Sequence, residues 1–145
     1  RMNDSKTYSM LAMAGVTPFV ACALLPLVGI ASIEPFGALD QLAAVYGLAI
    51  VSFLTGIHWA TQLYKPEDSP FNLLLASNAV FLFVWFAFVL GSLEIALGAQ
   101  IAALAVLLAV DRRLYAIALI SRHYLGVRTV ATSLAALSLL VIIVT

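Results

Sequence analysis

The stretch Ala43–Tyr64 reads AAVYGLAIVSFLTGIHWATQLY, and the fold turns on how it is read. It is long and apolar enough to cross a bilayer, which takes about 20 mainly apolar residues. Its second half nonetheless carries Ser52, Thr55, Gly56, His58 and Trp59. A span that served only as an anchor could be Leu, Val and Ile throughout. Ser52 and Gly56 lie four apart and share one helix face, with Trp59 three further on. Small residues at that spacing let two backbones approach closely in lipid. Ser52, Gly56 and the earlier Gly47 are therefore the expected helix-packing positions; the alternative is a notch that admits a ligand or a partner helix. His58 carries more information. An ionisable side chain inside a span marks a functional site by default and usually faces the bundle interior. The structural alternative is a satisfied histidine near the membrane interface, where Trp59 and Tyr64 would suit an aromatic belt.

Outward from this stretch the composition is uniform. Of 145 residues, 64% are hydrophobic and 10% charged, against about 25% charged in soluble domains. The whole chain, residues 1–145, reads as one integral membrane domain. Net charge is zero, and no basic block interleaved with aromatics points to nucleic acid. The lone cysteine, Cys22, permits no disulfide within the chain. There is no CxxC, no HExxH and no glycine-rich phosphate loop, so no metal or nucleotide cofactor is expected. The first apolar run is too long for a cleaved signal peptide.

Five spans follow, at about 8–33, 41–64, 71–93, 94–110 and 127–145. The first contains Pro18 and Pro26. Proline removes a backbone donor and crowds the preceding turn, so this helix is expected to kink, either harmlessly or with a break near Pro26. A freed carbonyl there can be satisfied by a neighbouring helix. The link Glu34–Asp40 is a Pro/Gly turn, with Asp40 placed to cap the second helix. Lys65–Pro70 is a second turn. Asn78, in the third span, lies about as deep as His58 from the same face, counted at 1.5 Å per residue; a hydrogen bond between them would satisfy both. The alternative is that Asn78 bonds another helix backbone. The fourth span carries Gln100 and ends in Asp111-Arg112-Arg113. Asp111 is then either a charged helix end or a counter-charge for His58 or a lipid phosphate. The stretch Leu114–Leu125, with basic residues at both ends and two tyrosines, reads as a short amphipathic segment on the membrane surface; the alternative is that its apolar residues extend the fourth helix.

Charge sets the orientation. In the five-span arrangement Arg1, Lys6, Lys65, Arg112, Arg113, Arg122 and Arg128 all fall on one side. The other side holds Glu34, Asp40 and Glu94. Lysine and arginine accumulate on the cytoplasmic or matrix side, so the N-terminus is expected inside and the C-terminus outside.

The run Tyr46-Gly47 to Ile50, then Ser52-Phe53-Leu54-Thr55-Gly56-Ile57-His58-Trp59, resembles the YGxxILSFLGGIHWG core of the domain of unknown function 3429 family, which includes transmembrane protein 69. Gly15-Val16-Thr17-Pro18-Phe19 resembles its GLIPF segment. Asp111-Arg112-Arg113 and His123-Tyr124-Leu125 resemble its DRR…WYLRLR ending. The resemblance covers nearly the whole chain. Thr55 and Ala60 stand where the family has glycine and His123 where it has tryptophan, which loosens any close-packing role carried over from those positions. The resemblance implies a five-span protein of the bacterial or mitochondrial inner membrane, and it brings no catalytic residues.

Two functions follow as expectations. One is a non-enzymatic accessory or assembly subunit of a larger respiratory or energy-converting complex, bound to other membrane subunits through the Ser52/Gly56 face. The other is a lipid- or quinone-binding protein or carrier, with an inner-leaflet pocket built from His58, Trp59, Asn78, Asp111 and Arg112. No nucleophile–base or acid pair at suitable spacing supports an enzyme. Haem ligation is disfavoured because only His58 lies within a span.

Overall fold

The structure, a computed structural model, describes residues 4–35, 37–64 and 72–145. Among the described residues five helices form the body of the protein: α1 (Asp4–Leu24), α2 (Leu39–Tyr64), α3 (Leu73–Leu90), α4 (Leu93–Ala116) and α5 (Arg122–Val144). Each is long and apolar enough to cross a membrane. A 3₁₀ turn, Leu25–Val28, follows α1, and two short strands, β1 (Ser32–Ile33) and β2 (Gly37–Ala38), form an antiparallel hairpin before α2. The turn Lys65–Pro70, and with it Lys65, lies outside the described residues, as does Arg1.

The helices form a bundle whose consecutive members pack against one another, and α1 closes it by lying along α5. The starts of α1, α3 and α5 therefore meet the ends of α2 and α4. Ser9 Oγ and His123 Nε2, 2.9 Å apart, tie α1 to α5 there, and Leu73 N donates to Gln62 Oε1 across 2.8 Å. The described basic residues gather at this end, called the basic end below. The core between the helices includes Phe19, Val51, Leu97, Leu107 and Leu139, all essentially inaccessible.

Of the two prolines, Pro26 ends the helix where the sequence suggests. Pro18 is accommodated within α1, and the Gly15 carbonyl in the turn before it accepts a 2.7 Å hydrogen bond from Tyr46 Oη of α2. Pro26 sits in the 3₁₀ turn that ends the helix, and Gly29, at φ 96°, closes that turn in the left-handed region that glycine adopts without penalty. Three boundaries differ from expectation. The helical first span stops at Leu24 rather than near residue 33. Asp40 lies in the first turn of α2 and accepts from the adjacent Gln41 N at 2.7 Å, so it is not the cap of that helix. The Leu114–Leu125 stretch forms no separate surface segment: α4 runs through Asp111-Arg112-Arg113 to Ala116, a turn with Ala118 at φ 64° follows, and α5 begins at Arg122. Asp111 and Arg128 are thereby brought inside the helical bundle. Leu107 and Leu114, both about 1% exposed, hold this part of α4 against its neighbours.

Candidate functional site: a buried ion network beside an apolar groove

His58 lies six residues before the end of α2, Asp111 five before the end of α4, and Arg128 six after the start of α5. Three helices thus deliver one ionisable group each to the same level of the bundle. His58 Nε2 is 2.9 Å from Asp111 Oδ1. Arg128 Nε donates to Asp111 Oδ2 across 2.9 Å, and its Nη2 reaches the same oxygen at 2.9 Å. Nη1 donates to Thr132 Oγ1, one turn along α5, at 3.3 Å. His58, Asp111, Arg128 and Thr132 are 3%, 2%, 8% and 5% exposed. A charge withdrawn this far from water is costly unless it is paired and hydrogen-bonded, and Asp111 meets that requirement on both oxygens. An ionised carboxylate only accepts hydrogen bonds, so the imidazole must carry a hydrogen on Nε2. Neutral His58 therefore keeps its lone pair on Nδ1.

Beside this network α1, α2 and α5 leave a groove of about 350 Å³. Its walls run from Tyr8 to Phe19 on α1 and from Tyr124 to Ala135 on α5, with Ile50, Phe53, Leu54 and Ile57 from α2. Eleven residues of helix correspond to about 16 Å of length. The walls are almost wholly apolar, and Arg128 and Thr132 are the network members that reach them; His58 and Asp111 stand behind Arg128. At the basic end, Tyr8 packs edge-on against Tyr124, ring centroids 5.3 Å apart, and lies 5.5 Å from the His123 ring.

These contacts correct several expectations. His58 does not pair with Asn78. Asn78 Nδ2 donates to Leu74 O of its own helix at 2.8 Å, and the residue is exposed. Matching depth was satisfied, but the two side chains leave their helices in different directions. Trp59, 42% exposed, faces a shallow cleft between α2 and α3 with Ser52, Gly56 and Asn78 and takes no part in the network. Arg112 is exposed, and Arg128 holds the place expected for it. Gly56 is not a packing notch within the bundle: a Cβ there would meet no atom of the described residues within 4 Å, as at Gly98. The close approach is at Gly47, where a Cβ would fall on the Gln100 side-chain amide. Gln100, fully buried, donates from Nε2 to Ala44 O at 2.8 Å, and its Oε1 has no hydrogen-bond partner among the described residues. Ser52 bonds back to Leu48 O at 2.8 Å.

Sequence reasoning missed Arg128 and Thr132. Arg128 falls at the start of the fifth span, expected at 127–145, and from sequence it counts only among the charges of one side. Its i, i+4 spacing from Thr132 was the available signal. Among the described residues no group of three or more His, Cys, Asp or Glu side chains converges as a metal site.

The family model described as "Protein of unknown function (DUF3429)" covers residues 5–144. No curated protein and no solved structure matches the chain. With five membrane-length helices and this near-complete coverage, the chain belongs to the DUF3429 family.

Proposed function

We propose that the protein binds one amphipathic lipid, of the acyl or quinone class, in the groove between α1, α2 and α5. The chain lies along the apolar walls toward Phe19 and Ala135, and an oxygen of the head group meets Arg128 and Thr132. One observation carries this reading: a buried guanidinium forms part of the wall of an otherwise apolar groove. Of its five N–H bonds, three are directed to Asp111 and Thr132, which leaves two for an acceptor. Arginine at membrane depth is expensive and marks pathways and binding sites; a lipid oxygen would supply the missing acceptor. The volume falls at the lower end of the range for small-molecule sites, about 300–1,000 Å³. The role is binding or carriage rather than catalysis. With the N-terminus inside, the tyrosine mouth would open to the inner leaflet of a bacterial or mitochondrial inner membrane.

A second reading rests on a separate feature. The cleft lined by Ser52, Gly56, Trp59 and Asn78 lies on the outside of the bundle, and a helix of a partner subunit could settle there. That would suit an accessory or assembly subunit of a larger respiratory membrane complex, and the two readings are compatible.

The test is purification in mild detergent with native mass spectrometry of wild type and Ala131→Phe, which projects a ring into the groove. One amphiphile per wild-type chain, lost in the variant while the fold is retained, is the expected result. Equal lipid content in both would overturn the groove as the site.

A further inference from the structure

We infer that the lipid in the groove is uncharged and meets Arg128 through a carbonyl oxygen, as a quinone ring or an ester does, and not through an acid, an amine or an alcohol. This rests on the groove reading above and adds the chemistry of the group bound at Arg128.

Charge balance is the first ground. One oxygen of Asp111 takes both Arg128 Nε and Nη2, so the two charges cancel inside the bundle. Among the described residues no other charged side chain lines the groove. A carboxylate or phosphate placed there would be a second anion facing one cation, and an ammonium group would face that cation directly. Either leaves a net charge among apolar walls, which is costly when no partner compensates it. An uncharged group leaves the balance as it stands.

Hydrogen-bond direction is the second ground. A guanidinium donates and never accepts. Nη1 and Nη2 each keep one N–H beyond the bonds to Thr132 and Asp111. Thr132 Oγ1 accepts from Nη1, which leaves its own hydrogen for another acceptor. The acceptors of the network, the Asp111 oxygens and His58 Nδ1, stand behind Arg128, and neither residue lines the groove. At this level the wall therefore offers hydrogens and needs lone pairs. A carbonyl oxygen brings two lone pairs and no hydrogen. An alcohol oxygen also accepts, but its hydrogen would stay unpaired against apolar walls, at a cost. The phenols that could take that hydrogen, Tyr8 and Tyr124, stand at the mouth; Tyr124 is four residues before Arg128, about 6 Å along the helix axis.

The experiment uses the full chain in nanodiscs of an ether-linked zwitterionic lipid, which carries no carbonyl, with empty nanodiscs as the partition control. Four probes are titrated at about pH 9, where a free carboxyl is ionised: methyl dodecanoate, dodecanoate, dodecanol, and a benzoquinone bearing a decyl chain. An unpaired buried hydrogen lowers affinity about fivefold at the low end of the range in soluble proteins, and a hydrogen bond between membrane helices is worth about threefold. Methyl dodecanoate should thus bind about three- to fivefold more tightly than dodecanol, and at least about tenfold more tightly than dodecanoate, whose charge has no free partner. The quinone should exceed dodecanol by a similar factor, and the tighter of the two carbonyl probes names the source of the oxygen, ring or ester. Infrared spectroscopy of methyl dodecanoate labelled with carbon-13 at the carbonyl reads the contact in wild type, with no variant needed. The bound band should lie below its position in empty nanodiscs, because a donated hydrogen bond weakens the C=O bond. Dodecanol or dodecanoate binding as tightly as the tighter carbonyl probe, or an unshifted band in the bound ester, would overturn this inference and leave the groove reading standing. Failure of all four probes to bind, or unchanged binding to Ala131→Phe, would instead overturn the groove reading.

Discussion

Asp111 holds three helices together, so Asp111→Asn is the most informative single change. The substitution keeps the shape of the side chain and removes its charge. Three contacts depend on that charge: His58 on one oxygen, and Arg128 Nε and Nη2 on the other. Interhelical hydrogen bonds in membranes average about 0.6 kcal/mol, so three contacts set a floor of roughly 2 kcal/mol. The ceiling comes from buried ion pairs in soluble proteins, where losing one partner costs about 3–5 kcal/mol because a charge is left uncompensated. Arg128, 8% exposed, would be that charge. We therefore expect Asp111→Asn to destabilise by about 2–4 kcal/mol, measured by reversible unfolding in mixed micelles of rising sodium dodecyl sulfate content. Arg128→Gln in the same background should cost much less than in wild type, with a coupling of about 1–3 kcal/mol as for other contacting pairs. A loss below about 0.5 kcal/mol for Asp111→Asn, the range of an ordinary surface change, would refute the reasoning, as would additive effects of the two substitutions.

Gly47→Ala should destabilise by about 1–3 kcal/mol through overpacking against Gln100, whereas Gly56→Ala should stay within about 0.5 kcal/mol of wild type; the same micelle titration compares them. Tyr46→Phe removes the donor to the Gly15 carbonyl and should cost about 1 kcal/mol without altering the oligomeric state or lipid content. A reporter fused after Thr145 should read the outer side of the membrane, and one fused at the N-terminus the inner side, as judged by paired phosphatase and fluorescent-protein fusions; a cytoplasmic signal at Thr145 would reverse the proposed orientation.

Much of the fold could be read from residue patterns, because hydrophobic length is a property of the chain alone. The five helices follow from it, whereas the break at Pro26 follows from proline's missing donor and the inward place of His58 from the cost of an ionisable group in a span. The ends of α4 and α5 did not, since Asp111-Arg112-Arg113 and Arg122 look like span terminators until tertiary pairing is known. Asp111 is tolerated within α4 because Arg128 and His58 meet it there. The pairing of His58 failed for a different reason. Depth is one coordinate; the direction around the helix is the other. The buried residues of α2 include Ala44, Gly47, Val51, Leu54 and Thr55, and His58 continues that stripe at spacings of three and four. Ser52, Gly56 and Trp59 belong to the neighbouring face, which the bundle leaves open. Reading the small-residue pair as the packing face exchanged the two sides of the helix. Gly47 was the better choice, and its partner Gln100 gave the second clue, a carboxamide deep in the fourth span.

Photocrosslinking from inside the groove tests the proposed function most directly. A photoreactive amino acid replaces Val127, on the groove wall, in membranes of the native host; the same replacement at Phe83, 56% exposed on α3, samples bulk lipid. The account predicts one dominant amphiphile attached at position 127 and a mixture reflecting the whole membrane at position 83. The same lipid mixture at both positions, or no adduct at 127, would contradict it.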